Sequence, residues 1–212
     1  MTHEKDINAF IEGICQTYQG VKPLNCSVRC SWLTALISAG WVALMLPFYG
    51  VRYDWAEAIT NPVFLLETGG VLFIWVTALM AASLLRVPDM GGQRFLLSLP
   101  LLMMGVIALW VLYRSLTEGM DLEFSWHHCC ENGIVFGAVP LLLLTYLSRM
   151  GTTTHPYLMA LMNSLAVGSA GWVGLRLTCP MEDVGHGFIY HFLPFVMIGS
   201  LFVLLARRLF RW

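Results

Sequence analysis

Six apolar runs, each close to the length that crosses a lipid bilayer, leave this chain almost no freedom of fold class. They cover residues 31–49, 63–85, 95–113, 132–148, 156–175 and 187–206. A spanning helix needs roughly 20 mostly apolar residues. Run 63–85 holds Glu67 and run 187–206 holds His191; the other four hold no ionisable group beyond tyrosine. With only 12% of 212 residues charged, a soluble helical domain would lack a water-facing surface. The expectation is an all-α, polytopic membrane protein with six transmembrane helices in one bundle.

Charge placement orients that bundle. Lys5, Lys22, Arg29, Arg86, Arg94, Arg149, Arg207, Arg208 and Arg211 fall on one side of a six-span arrangement; Arg52, Arg114 and Arg176 fall on the other. Basic residues gather on the cytoplasmic side, so both termini are expected inside the cell. The first 30 residues carry Glu4, Asp6 and Glu12 and lack the apolar core of a cleavable signal, so the first span is expected to direct insertion. The three segments are then a tail over 1–30, the bundle over 31–206 and a basic end over 207–212. The outer segments are acidic, which attracts cations within roughly 10 Å.

Within the tail, Ile7, Phe10, Ile11, Ile14 and Tyr18 recur at the spacing of one helical face, opposite Lys5, Asn8, Glu12, Gln16 and Gln19. Gly20 and Pro23 close the pattern. A helix this short needs something to pack on. A soluble partner with an apolar groove suits it better than anionic lipid, because its polar face has no basic bias. Ala166, Ala170 and Gly174, flanked by Gly168 and Gly171, make a small-residue ridge for close helix approach. Glu67, near the outer end of its span, is expected to be hydrated or paired with Arg52. The helix interiors are otherwise expected to be nearly free of polar groups.

Chemistry-bearing residues gather at the outer level. His127, His128, Cys129, Cys130 and Glu131 precede the fourth span; Cys179, Glu182 and Asp183 follow the fifth; His186 and His191 open the sixth. Three readings compete. Thiolate, imidazole and carboxylate together suit a thiophilic or borderline metal such as Zn or Cu, with His127, His128, Cys129, Cys130, Cys179, Glu182, Asp183, His186 and His191 as candidate ligands. Cys179 and either Cys129 or Cys130 suit a redox switch. The third reading is purely structural. Cys15, Cys26 and Cys30 on the inner side read as ordinary thiols. No nucleotide loop, catalytic triad or zincin motif is present, so no enzymatic activity is expected.

Four stretches resemble one family in order: Gly50-Val51-Arg52-Tyr53-Asp54, the cysteine opening the fourth span, Leu177-Thr178-Cys179-Pro180, and Arg207-Arg208-Leu209-Phe210-Arg211-Trp212. The chain resembles the NrsF-type anti-sigma factors, six-span bacterial inner-membrane proteins that restrain extracytoplasmic-function (ECF) sigma factors. The resemblance implies that the cytoplasmic tail binds the sigma factor, through Ile7, Phe10, Ile11, Ile14 and Tyr18 in this chain. It also implies sensing by two outer cysteines; Cys179 matches one, and both Cys129 and Cys130 are offered for the other. His127 and His128 also lie outside the family pattern, and the two departures together leave the stimulus open between a metal, an oxidant and another signal. The expected partners are an ECF sigma factor and membrane lipid, with no direct nucleic-acid contact and no obligatory cofactor. The rival reading is a thiol- and histidine-based metal permease.

Overall fold

The structure, a computed structural model, describes Ile7 and residues 10–13, 27–87, 94–120, 128–151 and 153–210. Its elements are α1 (Ser27–Tyr49), the single turn α2 (Trp55–Ala58), α3 (Pro62–Leu84), α4 (Arg94–Glu118), α5 (Cys129–Arg149), α6 (Pro156–Thr178) and α7 (Val184–His186). A π-helical turn (Gly187–Phe192), α8 (Leu193–Leu204) and α9 (Ala206–Leu209) complete it. Six helices are long and apolar enough to cross a membrane, the sixth running continuously over Val184–Leu204. Among the described residues there is no strand.

Local chemistry sets the ends. Gly50 and Gly119 follow the last residues of α1 and α4 with φ of 78° and 84°, a conformation that costs glycine little. Asn61 caps α3 by accepting from the Val63 N–H at 2.9 Å, with Pro62 in the first turn, where its missing donor is harmless. Pro180 bars its predecessor from helical geometry, so Cys179 leaves α6 in extended conformation, φ −99° and ψ 122°. The third and fourth spans extend furthest beyond their apolar runs. The third reaches Glu118 because Arg114 and Glu118 pair across one turn at 2.6 Å. The fourth begins at Cys129.

Helix α6 is the hub. It packs against α1, α3, α5 and α8, while α4 lies outside against α3. The small-residue ridge explains this placement. Ala166 and Ala170 are fully buried, and a Cβ on Gly174 would enter the Phe136 ring of α5. A Cβ on Gly171 would enter the Phe195 ring of α8. The hub also amends the expectation of polar-free interiors: Asn163 of α6 donates to the Ser148 hydroxyl of α5 at 2.9 Å, both buried. An amide buried among apolar helices is tolerable only when so paired.

Candidate functional site

Two polar assemblies occupy one end of the bundle, where the α1–α2, α4–α5 and α6–α7 connections lie. The first is a chain of ion pairs. Arg52 pairs with Asp54 at 2.7 Å and with Glu182 at 2.8 Å. Arg176 pairs with Glu182 at 2.9 Å and with Glu67 at 3.4 Å. Arg114 pairs with Glu67 at 2.9 Å and with Glu118. The expected Glu67–Arg52 pair is therefore corrected. Glu67 points to α4 and α6, and also accepts from the Trp110 indole at 3.2 Å, whereas Arg52 turns to Asp54 and Glu182. The Arg52–Glu182 and Arg176–Glu67 contacts are charge contacts off the line of a hydrogen bond.

Arg52 and Arg176 are both nearly inaccessible and lie against the buried Phe64 ring, at 5.1 Å and 4.7 Å from its centroid. A guanidinium tolerates such burial because it is weakly hydrated and favoured by the aromatic face. Arg52 also joins the two loop segments through the backbone: its N–H donates to Leu177 O at 3.0 Å, one of the carbonyls left free where α6 ends. Its Nη2 reaches Pro180 O at 3.4 Å.

The Asp54 carboxyl is held below its ordinary value of 3.8, chiefly by the Arg52 hydrogen bond. A depressed carboxyl stabilises the fold above the unfolded value, and that contribution disappears as the pH falls through the native one. Asp54→Asn is accordingly expected to lower the thermal midpoint slightly at neutral pH and to lose that effect in strong acid. Equal effects at both pH values would count against the pair.

The second assembly is a cluster of thiols and imidazoles. Cys129 Sγ, at the first residue of α5, lies 3.6 Å from Cys179 Sγ just past α6. Cys179 Sγ lies 3.5 Å from His186 Nε2. His191 completes the group, and one ligand-type atom from each of the four falls within 4.8 Å of all the others. The Cys179 thiol is held well below the ordinary thiol range. The Cys129 hydrogen bond is the main cause; burial opposes it, and contacts from His186 and His191 add to it.

The backbone explains how two histidines five residues apart converge. In an α-helix of 3.6 residues per turn, such residues point about 140° apart. Pro194 has no N–H to give Tyr190 O, and its ring crowds that carbonyl, so the regular ladder fails there. The chain widens instead, and the Leu193 N–H donates to Phe188 O, five residues back. The extra residue in the turn brings His191 round beside His186, with ring centroids 5.1 Å apart. Asp183 fixes the start of this helix by accepting from the His186 N–H at 2.7 Å.

The structure thus sorts the nine candidate ligands. Cys129, Cys179, His186 and His191 come together. Cys130 is half-buried outside the group, and His128 is exposed, 3.5 Å from Glu131. Glu182 is bound into the ion-pair chain, Asp183 serves as a helix cap, and His127 lies outside the described residues. In the tail, Ile7, Phe10 and Ile11 are exposed on residues with helical backbone; Ile14 and Tyr18 lie outside the described residues. The convergence of all three arginines had no sequence signal beyond their shared side. The Pro194 kink three residues after His191 was the available sign of the π turn.

Six membrane-length helices, with a thiol–imidazole cluster and a buried ion-pair chain at one end, define a multi-pass membrane protein whose polar chemistry is gathered at a single membrane level. The chain belongs to the family described as negative regulator of sigma F, NrsF, which matches residues 15–212. The motif resemblance therefore holds, and the family's role is negative regulation of a sigma factor. No curated protein and no solved structure matches the chain.

Proposed function

We propose that this protein is a membrane-bound anti-sigma factor of the bacterial inner membrane, with both termini in the cytoplasm. Its N-terminal tail holds an ECF sigma factor, and Cys129 and Cys179 at the outer face sense the signal that releases it. The observation that supports this is the dual engagement of one short segment. Between Cys179 and His186, the chain supplies two members of the thiol–imidazole cluster and also Glu182, which grips Arg52 after α1 and Arg176 on α6. A change in the cluster moves Glu182, and Arg52 passes that movement to the helix that follows the tail. A stimulus shifts such a bundle only by favouring one of its packings over the other.

The tail's exposed Ile7, Phe10 and Ile11 suit an apolar groove on the partner. Co-purification of the tagged full-length chain from native membranes should recover a sigma factor. Ile11→Asp, which sets a charge in the apolar stripe, is expected to reduce retention at least about tenfold, the equivalent of roughly 1.4 kcal/mol. Recovery of no sigma factor, or undiminished retention by Ile11→Asp, would sink the tail assignment. Cys179→Ser should keep retention and abolish release.

A further inference from the structure

We propose that Cys129, Cys179, His186 and His191 form a closed, four-coordinate site for a thiophilic or borderline d10 cation, Zn2+ or Cu+. The inference deepens the sensing role given above, and its regulatory meaning rests on that reading.

The spacing of the donors suits a metal ion. Cys129 and Cys179 stand as free thiols with their sulfurs 3.6 Å apart. Ligands at about 2.3 Å for sulfur and about 2.0–2.1 Å for nitrogen, arranged tetrahedrally, place two sulfurs about 3.8 Å apart and sulfur and nitrogen about 3.6 Å apart. The Cys129–Cys179 Sγ–Sγ and Cys179 Sγ–His186 Nε2 separations of 3.6 Å and 3.5 Å match those two edges, and all four donors lie within 4.8 Å of one another. Two cysteines and two histidines form a usual ligand set for four-coordinate zinc.

A second observation points to the same ligand. His191 is 1% exposed, and its buried Nε2 has no hydrogen-bond partner. An imidazole buried in a membrane helix without full pairing is costly. The π turn that Pro194 imposes carries this side chain to the cluster, and π turns gather at functional sites.

Charge favours a cation as well. Two thiolates and one divalent ion sum to zero, which suits an apolar, largely buried setting. The balance is M2+ with two cysteine thiols and two neutral imidazoles giving the neutral M(Cys)2(His)2 unit, with thiol protons passing to solvent. For Cu+ the unit carries one negative charge. The three surfaces that meet here, from α5, the end of α6 and the π turn, are then tied by one ion. Binding and loss of that ion would alter how those elements pack.

The test uses the full-length protein, purified in detergent under reductant, stripped of metal and titrated with Co2+. One ion per chain is expected, with tetrahedral ligand-field bands and thiolate-to-metal charge transfer. Zn2+, or Cu+ under reductant, should displace it, and the tighter of the two identifies the ion. His191→Ala and His186→Ala are each expected to weaken binding more than about 100-fold, beyond the effect of removing a partner outside the coordination shell. Cys130→Ser and His128→Ala should bind as wild type. Monodispersity and thermal midpoint report whether each variant is folded, and His191→Gln serves where alanine fails. Absence of stoichiometric binding would overturn the site, as would a spectrum without thiolate bands or wild-type affinity in folded His191 variants. A Cys129–Cys179 disulfide forming in place of a complex would overturn it too. Sigma-factor retention by the same preparations is read separately, so loss of the metal site and loss of the anti-sigma reading are distinguishable.

Discussion

Arg176→Ala is expected to destabilise the protein by about 3–5 kcal/mol, the cost of removing one partner from a buried ion pair. Arg176 neutralises Glu67 at 3.4 Å and Glu182 at 2.9 Å, and its own side chain is 5% exposed. Its loss leaves Glu67, buried between α3 and α4, with Arg114 alone. Glu182 would keep only Arg52. Water reaches Glu182, whose side chain is 31% exposed, but not the buried Glu67, so the uncompensated charge costs most there. Thermal unfolding in detergent should show the drop. Adding Glu67→Gln should recover part of it, since the two residues share a contact and their effects should not add. Strict additivity, or an unchanged midpoint in Arg176→Ala, would show that the chain of ion pairs carries little stability.

The second large effect is expected at the hub. Gly174→Ala places a Cβ inside the Phe136 ring, which is fully buried and already packed on Tyr49 at 5.4 Å between centroids. Alanine favours a helix over glycine by about 1 kcal/mol. Overpacking a tight core costs typically 1–3 kcal/mol, sometimes more. Here the ring has nowhere to retreat, so the steric term is expected to win. Gly105→Ala on the peripheral α4 is the contrasting case, because its Cβ meets nothing within 4 Å. It should be neutral or slightly stabilising. If both substitutions shifted the thermal midpoint alike, the close α5–α6 approach would not be what distinguishes them. Phe136→Leu in the Gly174→Ala background should restore part of the loss by making room.

The two substitutions mark different limits of sequence reading. The small-residue ridge was legible, because a period of four on a helix defines a face whatever it touches. Which ring it would receive was not. The ion-pair chain was legible only as three arginines on one side. Glu67 was expected to be hydrated or to meet Arg52, the nearest basic residue along the chain, yet Arg176 of α6 takes that position and Arg52 turns to Asp54 and Glu182. Span ends were blurred for a related reason. Arg114 and Glu118 look like a helix stop to an apolarity criterion, but as an i,i+4 pair they cancel and let α4 continue.

The thiol–imidazole cluster shows the same division. Its four members were all among the nine candidates, since a membrane forces residues at equivalent positions in antiparallel spans to one depth. The selection among nine depended on direction. Cys129 rather than Cys130 faces Cys179 because α5 starts at that residue and turns the next side chain away. His186 and His191 share a side only because Pro194 widens the helix between them.

Sequence alone therefore determined the class of fold, the number of spans, the level of the chemistry and the family. These follow from apolar length, charge placement and short motifs, which act locally and survive any arrangement of the helices. The partners of Glu67, the choice of Cys129 and the convergence of His191 were decided by the tertiary structure. Each depends on which way a helix is rotated, and that is fixed by packing against α6 and by a lost backbone hydrogen bond.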